Sequence, residues 1–145
     1  MWLTGHIKAK PRLRKQVPSL FLIFNHTFTD DQKGDAMVSL GIDRILDMPP
    51  DHKMIWSDIP PDLPTIEEYL EPIQTWLKIN ARKDDFVLIQ GDFGACYVMV
   101  NYAFRMGLIP IYSTTQREMK EEVLEDGSVR LTHHFQHRIF RRYEK

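Results

Sequence analysis

The feature that most constrains this chain is the run Leu20 to Phe24, LFLIF, which ends abruptly in Asn25-His26 and then in a helix start. Five consecutive apolar side chains leave a strand no face to turn toward water. Such a strand belongs inside a sheet covered on both sides, as in parallel α/β architecture. Asp85 to Gln90, DFVLIQ, repeats the pattern. A buried strand that stops on polar side chains delivers those side chains to the sheet edge.

The intervening segments read as helices. After the strand Ser19 to Asn25, Thr29 is an N-cap and Gln32 completes a capping box. Asp30 and Asp31 suit the positive end of the helix dipole, and Gly41 closes the helix. A short strand, Asp43 to Met48, stops at Pro49-Pro50. With Pro60, Pro61 and Pro64, the stretch Asp51 to Pro64 is expected to be mostly irregular. A second helix is predicted from Thr65, where Glu68 completes another capping box. Its stripe is Ile66, Tyr69, Leu70, Ile73 and Leu77, and Pro72 should kink or split it. Gly91-Asp92-Phe93-Gly94 turns into a third helix, Ala95 to Met106, closed by Gly107. A fourth strand follows, Leu108 to Ser113. Alternation of this kind predicts an α/β fold with a mostly parallel sheet flanked by helices. The tail departs from it. Glu121 to Glu125 and Ser128 to Phe135 flank Asp126-Gly127, which predicts an appended C-terminal β-hairpin.

Composition sets the bounds. The 145 residues fit one domain, and 43% apolar residues can build a core. A net charge of −1 supplies no global field for long nucleic acid or a membrane surface. The one cysteine, Cys96, cannot form an intrachain disulfide framework or a multi-thiolate zinc site. No apolar run nears the ~18 residues of a membrane span and no secretory signal is visible, so the cytoplasm is the expected location. Residues 1–16 form a basic arm, with Lys8, Lys10, Arg12, Arg14 and Lys15 and no acid. Residues 17–145 are expected to form the single domain.

Ligands of open α/β sheets bind outside the carboxyl ends of the strands. Three strands end there in polar groups: Asn25-His26, Gln90-Gly91-Asp92, and Ser113-Thr114-Thr115 followed by Arg117. With Phe93 and Gly94 beside a helix start, this inventory suits a phosphate-rich ligand. No P-loop and no GxGxxG fingerprint is present. The tail histidines do not read as a metal site, because strand alternation puts His133 and His137 on one face and His134 and Arg138 on the other. His134 and Arg138, with Arg141 and Arg142, are basic enough to close over an anion. The third helix is apolar on two stripes, the outer one holding Cys96, Tyr97, Val100 and Phe104. A homodimer would cover that outer stripe, and so would the Asp51 to Pro64 loop or the C-terminal hairpin.

FLIFNHTFTDDQKGDAMVSLGI, DFVLIQGDFGACYVMVNYAFRMGLIPIYSTTQRE and EDGSVRLTHHFQH together resemble a small CRISPR-associated family of type III systems, the Csx protein numbered twenty. The resemblance covers nearly all of residues 19–143. It implies a Rossmann-like domain of the CARF type that binds cyclic oligoadenylate at a dimer axis. It further implies a ring nuclease that cleaves cyclic tetra-adenylate and so switches off the antiviral response. No cofactor and no metal are expected. The matching motifs place His26, Arg117 and Thr114 as candidate catalytic groups. They place Asn25, Gln90, Gly91, Asp92, Phe93, Gly94, Ser113, Thr115 and His134 as candidate ligand contacts, and Arg138 of the basic end joins them. A cyclic oligoadenylate-binding protein that does not cleave is the alternative.

Overall fold

A computed structural model of the chain describes residues 16–145. The basic segment expected over 1–16 lies outside the described residues except for Gln16. Strands β1 (Ser19–Ile23), β2 (Arg44–Asp47), β3 (Phe86–Ile89), β4 (Ile109–Val123) and β5 (Val129–Arg142) form one sheet in the order β2-β1-β3-β4-β5. The first four are mutually parallel, and β5 runs antiparallel to β4.

Alternation along β1 and β3 builds two cores. Phe21, Ile23, Val87 and Ile89 point to one face, where they meet Trp56, Leu70, Ile73, Leu77, Met99 and Ala103. Leu20, Leu22, Phe86 and Leu88 point to the other and meet Phe28, Ala36 and Ile42. Each large side chain so buried contributes about 2 kcal/mol. That double burial is why both strands are uninterrupted apolar runs.

Helix α1 (Asp30–Asp35) begins with the expected capping box. Gln32 N–H donates to Thr29 Oγ1, and Thr29 N–H donates to Gln32 Oε1. Beyond Asp35 the helix widens into a π-helical turn, Ala36–Leu40, and stops at Gly41 with φ +66°. Helix α3 (Glu71–Asn80) and helix α4 (Phe93–Arg105) pack on the opposite face.

Three expectations are corrected. The stretch Asp51 to Pro64 is not mostly irregular, because α2 (Pro50–Ser57) occupies half of it. Pro50 sits at the first helical position, where its missing N–H costs nothing. The second helix does not start at Thr65. Residues 66–70 form turns, and α3 begins at Glu71 with Pro72 in its first turn, so the proline starts the helix. The fourth strand does not end at Ser113. It runs on to Val123 and is itself the first arm of the hairpin. Asp126-Gly127 does make the turn, with Gly127 at φ +84°.

Asp85 pins the start of β3 to its neighbours. Its carboxylate is buried and accepts from Ser19 N–H at 2.9 Å and from Arg82 N–H at 2.8 Å. Asp85→Ala should therefore destabilise the domain by about 2–4 kcal/mol, since two backbone donors lose their acceptor. Urea denaturation measures it, and a change below about 0.5 kcal/mol would contradict this role.

Candidate functional site at the carboxyl edge of the sheet

The direction in which successive strands are added reverses at β1, since β2 lies on one side of it while β3 and β4 lie on the other. Ligands of open α/β sheets bind at such a switch point. Register pairs Ile23 with Ile89, so Asn25-His26 and Gln90-Gly91 leave the sheet side by side at this point.

Two concavities flank it. One, of about 540 Å³, is lined by Asn25, His26, Thr27, Lys33, Asp47 and Lys53. Asn25 and His26 are exposed, and the His26 ring stands edge-on to Phe24 at 5.3 Å. Lys33 reaches it from α1 and Lys53 from α2, where Lys53 pairs with Asp47 at 2.5 Å. The other, of about 680 Å³, is more apolar and includes Gln90, Gly91, Phe93, Tyr97, Tyr112 and Tyr143. Phe93 is 95% exposed there. Burial pushes the Cys96 thiol up to about 11, so this groove offers no thiolate near neutral pH.

Between them, Trp56 closes on the backbone. Its indole N–H donates to the Gln90 carbonyl at 2.8 Å. A Cβ on Gly91 would stand 2.7 Å from Trp56 Nε1, so the glycine is required for close packing. Asp92 caps α4, its carboxylate accepting from Ala95 N–H at 3.0 Å. A carboxylate thus already occupies the helix terminus beside the glycine-containing turn. Gly94 lies in the first turn of that helix with ordinary room around it.

Ser113 joins the sheet edge to the hairpin through a buried polar chain. Its N–H donates to Gln90 Oε1 at 2.7 Å, and Gln32 Nε2 donates to its hydroxyl at 3.3 Å. Its Oγ lies 2.5 Å from His137 Nδ1, and His137 Nε2 lies 2.6 Å from Asp35 Oδ2. A carboxylate only accepts, so Nε2 carries a proton. In the neutral ring Nδ1 then accepts from Ser113. Asp35 stands where α1 passes into its π-helical turn, and its other oxygen accepts from Ser39. Ser113 is 6% exposed and the His137 side chain 7%. This network clamps α1, the β4 edge and the base of the hairpin together.

The remaining candidates lie along the hairpin. The Thr114 hydroxyl donates to Ile139 O and accepts from Ile139 N–H, pinning an irregularity in the β4–β5 ladder. Thr115 is exposed and opposes His137 in register. Arg117 donates to His133 Nδ1 at 3.2 Å from Nε. His134 is exposed and opposes Glu118, and Arg138 is exposed. The structure thus gathers Asn25, His26, Gln90, Gly91 and Ser113 at one edge, and leaves Arg117 and His134 out along the hairpin. Lys33, Lys53, Asp35 and His137 were missed from sequence. His137 was legible only as one of alternating hairpin residues, because its partner Asp35 is 102 residues away.

Residues 18–141 match the family described as Uncharacterized protein MJ1673 family. The chain is 46% identical over 127 residues to Uncharacterized protein MJ1673 of Methanocaldococcus jannaschii, covering 88% of this chain and 98% of that protein. No solved structure matches the chain.

His137→Ala should cost about 2–4 kcal/mol, because it opens a cavity and leaves the Ser113 hydroxyl and Asp35 without their shared partner. Ser113→Ala should cost less, about 1 kcal/mol. Chemical denaturation of both variants checks the order, and the reverse order would contradict the clamp.

Proposed function

We propose that this chain, which belongs to the MJ1673 family, binds and cleaves cyclic tetra-adenylate as a homodimeric ring nuclease of type III CRISPR signalling. The observation that carries this reading is the placement of Asn25 and His26 beside Lys33 and Lys53 in one open concavity next to the switch point of the sheet. The ammonium of Lys33, with Lys53 beside its partner Asp47, suits a phosphodiester, and an imidazole suits proton transfer near neutral pH.

In this mechanism the ribose 2′-hydroxyl of the ring attacks the adjacent phosphorus. The P–O5′ bond breaks, giving a 2′,3′-cyclic phosphate and a 5′-hydroxyl, with no water consumed. The attack needs no metal in principle. His26 moves a proton, from the 2′-hydroxyl or to the leaving 5′-oxygen. Lys33 and Lys53 stabilise charge on the crowded phosphorus, and binding aligns the 2′-oxygen in line. Asn25 hydrogen-bonds an adenine edge or ribose. The ring has approximate twofold symmetry, so each of two subunits contacts one half.

A binding protein that does not cleave is the second reading. It is favoured by the engagement of two candidate catalytic groups elsewhere: Thr114 with Ile139 and Arg117 with His133.

Chromatography of cyclic tri-, tetra- and hexa-adenylate after incubation with protein and chelator tests both. Conversion of the tetramer to linear products with a 2′,3′-cyclic phosphate is expected, and His26→Ala should slow it about 100-fold or more. Lys33→Ala with Lys53→Ala should weaken binding about tenfold or more. Intact tetramer with a raised melting temperature would replace cleavage by sequestration. Intact rings with no shift in melting temperature would overturn both.

A further inference from the structure

The hairpin formed by the outer parts of β4 and β5 sorts its side chains into a polar face and a mostly apolar one. On one face the opposed pairs are Gln116 with Gln136, Glu118 with His134, Lys120 with Thr132, and Glu122 with Arg130. That face is polar throughout, and Arg130 bonds Glu122 at 2.7 Å. On the other face stand Arg117 with Phe135, Met119 with His133, Glu121 with Leu131, and Val123 with Val129. Met119, Val123, Val129, Leu131 and Phe135 are each more than half exposed.

An isolated two-stranded ribbon is marginal in water unless a further layer covers its apolar face. A contiguous apolar patch of this kind marks an interaction surface. Its two full charges identify the partner. Arg117 and Glu121 both lie on β4, symmetrically about Met119. A twofold axis through the Met119–His133 pair, in the plane of the interface and across the strands, lays β4 on β4 of the second copy in reversed direction. Arg117 then meets the partner's Glu121, and Glu121 meets the partner's Arg117. Phe135 meets the partner's Leu131, and Met119 meets its own counterpart. The other simple axis, along the strands, would set each charge over an apolar side chain.

We propose that this face is a homodimer interface, closed by a second copy of the chain in that antiparallel register. The tip of each ribbon, with Val123 and Val129, then reaches the base of the other, up against α1. There the His137–Asp35 pair docks α1, and Met37 and Val38 stand exposed just beyond it. The ribbon leaves the domain at the carboxyl edge of the sheet, so this pairing holds the two edges about the length of the overlap apart, and a ring shared by two chains would need a separate contact at the edge. The overlap is about 30 Å long at ~3.4 Å per residue. This surface differs from the outer stripe of α4, which Tyr143 and Lys145 partly cover. It holds whatever the ligand is.

Sedimentation equilibrium without nucleotide tests it. Wild type should show twice the 17.2 kDa chain mass at micromolar concentration. Phe135→Glu should be monomeric with an unchanged circular dichroism spectrum. Arg117→Glu and Glu121→Arg should each raise the dimer dissociation constant about tenfold or more, and the double swap should restore it to near wild type. In a Cys96→Ser background, Met119→Cys should be bridged between copies by a short bismaleimide, and Glu118→Cys should not. A monomeric wild type would overturn the interface. Charge reversals without effect, or a double swap that fails to rescue, would overturn the register. So would bridging at Glu118 in place of Met119.

Discussion

The structure depends on the burial of β1 and β3 on both faces. Their side chains alternate between two cores, so neither Leu20 to Ile23 nor Phe86 to Ile89 can carry a polar group. Polar side chains are therefore driven to the strand ends, and parallel register brings those ends to one edge. Asn25, His26, Gln90 and Ser113 stand together for this reason, although up to 88 positions separate them along the chain. The concentration of polar groups at that edge is a consequence of core packing. Beside that edge, Lys33, Lys53 and Asp47 line one concavity with Asn25 and His26.

The Asp35–His137–Ser113 chain has the residue types of a nucleophile, base and orienting acid, but its setting is structural. Ser113 and His137 are almost fully buried, and neither lines the concavities flanking the switch point. What the chain joins is informative. It ties α1, the end of the parallel sheet and the root of the ribbon into one rigid unit. The ribbon is thus held at a fixed angle to the edge from which it grows. A rigid arm with one apolar face can align two copies, and so place two concavities in a defined relation.

Much of the fold was legible because its signals are local. The Thr29–Gln32 capping box, the Gly41 and Gly107 closures and the Asp126-Gly127 turn each rest on a few adjacent residues, and each stands as read. Proline misled in both directions. Pro50 and Pro72 sit in first turns, where proline starts a helix, yet Pro60, Pro61 and Pro64 read as irregular backbone and Pro72 as a kink. The length of β4 was hidden because Thr114 interrupts the ladder while the strand continues beyond it. The site was half legible. Strand ends announce themselves by the change from apolar to polar. Lys33 and Lys53 do not, since their convergence depends on where α1 and α2 pack. Gly91 was legible as a candidate ligand contact, but its close packing against Trp56 was not.

The central claim is that the polar edge takes a cyclic oligoadenylate shared by two copies of the chain. Isothermal titration calorimetry of His26→Ala with cyclic tetra-adenylate tests it most directly, since the ring should then persist through the titration. The predicted result is saturation at one ring per two chains. Absence of binding, or saturation at one ring per chain, would contradict it.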